Sequence, residues 1–369
     1  MNFKISRSLL FQSLTHFQSV VEKRNTIPIL SNIKISARQS LIRVTATDLS
    51  IQLSEEIKAE VIDEGEVTLP SQMIFDIIRK VPENTQIEVK ENKDDGKVFI
   101  FFNSSKFSLP CLPATDYPEI ESEQSLHAFK IESEKLKYLI NDCKFSMGVD
   151  ESRPYLNGVY MHSTENEIIT VATDGHRLSK CSVKNESDND GFDGVIIPKK
   201  TVNEMAKLLD ESDKDVVVEI SRTKVQFTIN NIQLISKLVN ANFPDYETVI
   251  PGNNNLIVKC NTKAFAETID RVSTISSEKF RTVKLQIQNN KCIVSSFGEE
   301  KSAGTEEIDV IYDGKDISIN FNARYILEVL SIITSEKINI CFADNTAPTV
   351  LKGDNEESNS LYLIMQMRA

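Results

Sequence analysis

The sequence has little of what most enzymes and membrane proteins display. No apolar run approaches the roughly 18 residues of a membrane-spanning helix. The N-terminal MNFKISRSLL has neither the apolar core nor the small-residue cleavage site of a secretion signal. Histidine occurs only at 16, 127, 162 and 176, with no HExxH pair and no glycine-rich phosphate loop anywhere. The cysteines, at 111, 143, 181, 260, 292 and 341, all lie more than 30 residues apart, so no CxxC metal or redox pair exists. Such scattered thiols suit small core positions in a reducing cytoplasm, which is the expected location. Positive charge is short as well: 42 Lys and Arg stand against 54 Asp and Glu, for a net charge of −12. That argues against holding nucleic acid by bulk positive charge, though not against a basic patch on an acidic body. With 40% hydrophobic and 26% charged residues the chain reads as globular, and 369 residues suffice for two or three domains.

The chain repeats itself. FKISRSLLFQSL from Phe3, FKIESEKLKYLI from Phe129 and VKCNTKAFAETI from Val258 each read as a short strand, a polar Ser or Asn, and an amphipathic helix. In the second of these, Leu136, Leu139, Ile140 and Cys143 fall on one helical face. A second helix is expected from LPSQMIFDIIRKVP, IPKKTVNEMAKLLDE and FNARYILEVLSIIT. Pro70 and Pro198 suit its first helical position, and Asn322 suits an N-cap. Ala-Thr-Asp recurs at 46–48 and 172–174, and an aromatic-proline pair at 117–118 and 243–244. The two helices of each third start roughly 60–67 residues apart, and alternating runs between them read as antiparallel strands. The expected class is α+β: three tandem similar domains, each with two helices on antiparallel sheets. Three such domains suit a curved or ring-like body.

One motif separates fold from site. TATDLSIQL from Thr45 and TVATDGHRL from Thr170 share Thr-Asp, which fits a turn whose Asp side chain bonds local amides. Gly175, His176 and Arg177 replace Leu49, Ser50 and Ile51, and this divergent part is the candidate site. A structural turn is the competing reading. Acid–base catalysis through Asp174 and His176 is a third, but no nucleophile or metal-ligand spacing accompanies them.

The segments TIPIL (26–30), RPYLNGVY (153–160), TVATDGHRL (170–178), SKLVNANFPDY (236–246), SEKFR (277–281) and YLIMQMR (362–368) resemble, in order, the bacterial sliding clamp family, the β subunit of DNA polymerase III. The resemblance covers essentially the whole chain. It implies the DNA clamp fold, with domains at 1–125, 126–253 and 254–369, in a ring-shaped head-to-tail homodimer. Such a ring encircles duplex DNA without reading sequence and tethers the replicative polymerase, the clamp loader and other proteins through short peptides. It needs no cofactor or metal and performs no catalysis. The alternative kept beside it is an open, monomeric protein-binding adaptor that does not encircle DNA.

By the same resemblance, Lys23, Arg24, Arg79, Lys80, Lys199 and Lys200 on or near helices face DNA phosphate; read from composition alone, they are ordinary solvated helix faces. The partner-peptide pocket comprises Thr173, Gly175, His176, Arg177 and Leu178, with Arg153, Tyr155 and Leu156 beside them. Pro244 and Val249 join from the link into the third domain. Asn322, Tyr325, Leu363, Met365, Met367 and Arg368 supply the remaining side. Lys106, Phe107 and Leu109 meet Thr274 and Ile275 of a second copy. Three departures stand out. Gln366 lies where the family often has proline, Pro348 where a small polar residue is common, and Thr274 where a larger aliphatic is usual. The first two bear on peptide affinity; the third predicts a looser dimer.

Overall fold

The computed structural model describes residues 1–22, 26–92, 95–186, 191–276, 281–299, 302–354 and 359–367. Lys23, Arg24 and Arg368 lie outside the described residues.

Among the described residues there are six α-helices: α1 (Arg7–Phe17), α2 (Ser71–Lys80), α3 (Ser133–Lys144), α4 (Lys199–Asp210), α5 (Thr262–Ser273) and α6 (Ala323–Ile332). Their starts are local. Ser6 caps α1 by accepting from Leu9 N, Asn261 caps α5 by accepting from Ala264 N, and Asn322 caps α6 by accepting from Arg324 N. The apolar face read for α3 is buried at Leu136, Leu139, Ile140 and Cys143. Pro70 and Pro198 stand one residue earlier than expected, closing the strands Gly65–Pro70 and Phe192–Pro198. At Pro70 the ring-fixed φ of −58° suits a helix but ψ of 112° does not, so the helix begins at Ser71.

All strands pair antiparallel, and the chain forms two compact units that cut across the repeat. One unit is Met1–Lys137 with Lys200–Leu238; the other is Tyr138–Lys199 with Val239–Ala369. The first contains an eight-stranded sheet in which strands of the central third (127–131, 216–220, 224–229, 232–237) continue into strands of the N-terminal third (51–58, 41–47, 32–38, 65–70). The second unit repeats the plan: 192–198, 158–163, 167–173 and 177–184 continue into 360–364, 349–353, 337–342 and 256–261. Thus Ile51–Lys58 meets Ile232–Lys237 in one unit as Arg177–Lys184 meets Ser360–Ile364 in the other. Each unit also carries a smaller sheet with an unpaired edge, Ser105–Pro110 in the first and Ala303–Asp309 in the second.

In the first unit α1 and α2 bury Leu10, Leu14, Phe17, Ile74 and Ile78. In the second, α5 and α6 bury Phe265, Ile269, Ile326 and Val329 in a core continuous with Tyr362 and Ile364 of the last strand. Among the described residues no helix is long and apolar enough to cross a membrane.

His16 on α1 introduces a pH dependence. Its Nδ1 lies 3.0 Å from Glu55 and its Nε2 3.0 Å from Glu211, all within the first unit. Burial opposes the imidazolium, but the two carboxylates outweigh it and raise its pKa above the ordinary 6.5. A raised folded-state pKa contributes stability that is complete below about 6.5, the unfolded value, and is lost as pH rises through the folded value. The melting temperature should therefore fall as pH climbs from 6 towards 8. His16→Gln should be less stable at pH 6 and show a flatter pH profile, measured by thermal melts across that range.

Candidate functional site

The turn from Thr173 to Arg177 is built by its own side chains. Thr173 Oγ1 donates to Arg177 O (2.6 Å) and accepts from Gly175 N (3.1 Å). Asp174 Oδ1 accepts from His176 N (2.9 Å) and Arg177 N (3.1 Å). The first repeat is wired the same way. Thr47 Oγ1 donates to Ile51 O (2.8 Å) and accepts from Leu49 N (3.0 Å), and Asp48 Oδ1 accepts from Ser50 N and Ile51 N, both at 2.8 Å. The shared Thr-Asp is therefore architecture. Both turns need a left-handed residue: Gly175 has φ +88° and Leu49 has φ +74°. Glycine takes that conformation freely, and a Cβ at 175 would sit 3.1 Å from Arg153 Nη1, so glycine also admits Arg153 to the turn.

Arg177 anchors this region. It is only 8% exposed. Its Nε donates to Asp174 Oδ2 (3.1 Å), Nη1 to Glu328 on α6, and Nη2 to Phe145 O (2.5 Å). The guanidinium also lies 4.5 Å from the Tyr325 ring centre and 5.3 Å from that of Phe145. Lys200 on α4, in the first unit, plays a related part beside Asp48: its Nζ is 2.5 Å from Asp48 Oδ2 and 3.1 Å from Val20 O.

Next to the second-unit turn opens a cavity of about 470 Å³. It gathers Arg153, Tyr155, Leu156, Thr173, Gly175, Arg177, Leu178, Pro244, Val249, Leu363 and Met365 of the expected pocket. Leu178, Tyr246 and Leu363 of its lining belong to a small buried cluster with Ile169 and Val171. Met365 is 43% exposed and Val249 49%, so apolar side chains stand open at the rim.

Four expected residues do not line the cavity. His176 packs its ring near Tyr325, with centroids 6.4 Å apart. Asn322 caps α6. Met367 turns elsewhere because the strand ends at Ile364 and period-two alternation lapses with it. Met365 N then bonds His176 O (2.8 Å), whereas Met367 N bonds Asn320 O (2.8 Å).

Sequence reasoning missed Tyr246, Asp245 and Thr248, which also line the cavity. The usable signal was the segment FPDY, whose aromatic-proline pair keeps the repeat. The Tyr246 hydroxyl is held by His162 Nε2 at 3.0 Å, and the Phe243 and Tyr160 rings stack at 4.7 Å beneath it. Burial, then the Glu247 charge, push the Tyr246 phenol well up. Burial, then the Lys180 charge, lower the His162 pKa, so this pair stays neutral near pH 7. At the polar rim Asp150 takes Arg153 Nε at 2.9 Å. Hydrogen bonds from Ser152, then from Arg153, hold the Asp150 carboxyl down to about 2.

This arrangement does not suit acid–base chemistry. Both Asp174 oxygens are occupied by the turn and by Arg177, and the Thr173 hydroxyl donates to a backbone carbonyl. Among the described residues no cluster of His, Cys, Asp or Glu could hold a metal. What remains is an apolar cavity with few polar groups at its edge, a form that binds rather than reacts.

Of the cations expected on helix faces, Arg79 pairs with Asp76 at 3.0 Å yet stays exposed. Lys80 and Lys199 have no carboxylate partner among the described residues. Lys200 is committed to Asp48 and Glu22. At the expected dimer surface Phe107 is 40% exposed, while Leu109 is buried in its own unit. The ammonium of Lys106 sits 4.2 Å from the Phe99 ring centre. Thr274 is exposed, its hydroxyl donating to Asp270 O, and Ile275 packs against Gly298 and Gly304 beside the unpaired edge strand.

Comparison with known proteins places the whole chain. Residues 1–121, 130–245 and 247–368 match the N-terminal, central and C-terminal domains of the DNA polymerase III beta subunit. The beta sliding clamp of Caulobacter vibrioides is 36% identical over 372 residues, covering 100% of both chains. That of Pseudomonas putida is 32% identical over 369 residues, again covering 100% of both. Among solved structures, a C. crescentus beta sliding clamp superposes with a TM-score of 0.97 at 36% identity, covering 100% of this chain and 99% of that one. A Pseudomonas aeruginosa clamp bound to griselimycin superposes at 0.96 and 32% identity, covering 100% of both.

Proposed function

The chain belongs to the family of DNA polymerase III β subunits, the sliding clamps, which are processivity factors and not catalysts, and we propose that it acts as a cytoplasmic homodimeric ring around duplex DNA, with domains at 1–125, 126–253 and 254–369. The observation that carries the ring is the repeated strand junction. Twice within the chain, the strand equivalent to Ile51–Lys58 pairs antiparallel with the strand equivalent to Ile232–Lys237. The third members of the two sets are Ala303–Asp309 and Ser105–Pro110, and both are unpaired edges. A second copy, placed head to tail, satisfies each edge with the other and leaves no open ladder.

The internal junctions also supply the register. Leu53 and Ser179 stand opposite Ala46 and Ala172 in their hairpins as Gly304 stands opposite Ser296, so Leu234↔Leu53 and Tyr362↔Ser179 both translate to Phe107 opposite Gly304, with Lys106 opposite Thr305 and Ser105 opposite Glu306. Thr305 then faces Lys106, with Glu307 diagonal to it on the same face of the ladder. Thr274 adds little apolar area beside Ile275, which fits a looser dimer by about 1 kcal/mol.

The cavity near Gly175 receives short peptides from the polymerase, the clamp loader and other partners. Open apolar side chains take the peptide's, and the few polar rim groups orient its backbone. DNA is retained by enclosure, so exposed Arg79 and Lys80 and half-buried Lys199 need only weak, sequence-independent phosphate contacts, which permit sliding. The test is retention. Once loaded, the protein should persist on nicked DNA circles through a high-salt wash and be released when the circle is linearised. Equal retention on both forms would refute encirclement and favour the adaptor.

A further inference from the structure

One wall of the peptide cavity is held in place by side-chain amides. Pro348 lines the cavity at the end of a tight turn. Asp344 closes this turn, its Oδ1 accepting from Thr346 N (2.7 Å) and Ala347 N (2.8 Å). From one side Gln366 Nε2 reaches Ala347 O (2.7 Å), Asp344 O (3.1 Å) and, at 3.4 Å, Thr349 Oγ1. From the other, Asn254 Nδ2 donates to Pro348 O and Cys341 O, both at 3.0 Å. Two carbonyls around one nitrogen fix the orientation of the Gln366 amide, since the flipped form would set oxygen against oxygen. Its Oε1 is buried with no hydrogen-bond partner among the described residues. The side chain is thus held by its donors, at the expense of its acceptor, which is an unusual choice for stability alone.

The neighbouring residue completes the geometry. Met365 lines the cavity, and the next side chain, Gln366, grips the turn that carries Pro348. Two rim residues of the cavity are therefore tied together through a single amide. Proline has no N–H, and the Asp344, Ala347 and Pro348 carbonyls are already engaged. This wall offers a bound peptide apolar surface and little hydrogen bonding.

We propose that Gln366 is a positioning residue for peptide binding, clamping the 344–349 turn so that Pro348 stands as a preformed apolar wall that selects an aliphatic or aromatic peptide side chain. The inference rests on the peptide-pocket reading. A proline at 366 would remove the amide that makes the clamp, and a glutamate would set an acceptor against two carbonyls.

The test uses the full-length protein and a panel of fluorescein-labelled hexapeptides with Leu, Phe or Ser at each position, read by anisotropy. The peptide that binds the wild type most tightly is carried forward. Gln366→Glu should weaken it about tenfold, chiefly through faster dissociation, with an unchanged melting temperature and unchanged dimerisation. Pro348→Gly should weaken it to a similar extent, and the double variant should bind no worse than Pro348→Gly alone. Gln366→Glu should also lose the preference for an apolar over a Ser-containing peptide. Unchanged affinity in Gln366→Glu, or strictly additive losses in the double variant, would overturn the inference. Met365→Ala separates the two layers. If no peptide binds, or Met365→Ala binds as tightly as wild type, the pocket reading itself fails. If Met365→Ala weakens binding but Gln366→Glu does not, only the role of Gln366 fails.

Discussion

Phe107→Asp should turn the dimer into a monomer while leaving the fold intact. Phe107 stands on an unpaired edge strand, 40% exposed, with its ring stacked on Phe102 at 5.5 Å. In the proposed dimer this ring is covered. Replacing it with a carboxylate forfeits its apolar burial and brings a negative charge diagonally beside Glu306 of the second copy. We expect a loss of about 2–3 kcal/mol at each junction. A closed two-membered ring contains the junction twice, so the dimer loses about 4–6 kcal/mol, a thousandfold or more in dissociation constant. Sedimentation at micromolar concentration should show a monomer, and retention on DNA circles should vanish. The melting temperature should change little, because within one chain Phe107 covers only part of the edge. Phe107→Leu should remain dimeric. A dimeric Phe107→Asp would remove this strand from the interface.

Arg177→Ala should damage fold and peptide binding together. The guanidinium satisfies Asp174, Glu328 and the Phe145 carbonyl, between the Phe145 and Tyr325 rings. Its removal leaves Asp174 without a cation and Glu328 with only the exposed Arg324. Breaking a buried ion pair from one side costs about 3–5 kcal/mol, and the partial exposure of Glu328 points to the lower end. The melting temperature should drop by several degrees. Peptide affinity should fall as well, since Asp174 also holds the turn that presents Gly175. Arg177→Lys should not rescue either property, because an ammonium has no planar face to lie between two rings and no fork of donors to reach Asp174, Glu328 and the Phe145 carbonyl together. Arg177→Ala combined with Glu328→Ala should recover part of the stability. Unaltered melting in Arg177→Ala would show that the network contributes nothing net.

The sequence revealed most of what is local. Helix faces such as Leu136 to Cys143 follow a period that the backbone imposes, so their burial was readable. So was the Thr-Asp turn, because its hydrogen bonds span at most four residues. What could not be read was which strand lies beside which. Nothing in Ile232–Lys237 or Ile51–Lys58 states that they are neighbours, and that pairing splits the central repeat between two units. The pocket shows the same limit. Gly175, Arg177 and Leu178 stood out by diverging from their repeat. Tyr246, Glu328 and the hold of Gln366 on the 344–349 turn depend on contacts across long stretches of chain. Leu109 and Phe107 share a face by alternation, yet only Leu109 is covered within the chain. Period two assigns the face and not how far the core extends along it.

Head-to-tail closure through the two free edges is the central claim, and a disulfide placed across them tests it most directly. The register borrowed from the internal junctions, Ile232↔Glu55 in the first of them, sets Ser105 opposite Glu306 of the second copy. Oxidised Ser105→Cys/Glu306→Cys protein should run on a non-reducing denaturing gel as one species of twice 41.6 kDa, with neither single variant doing so. Uncrosslinked protein, or a ladder of higher multiples from open chains, would contradict closure.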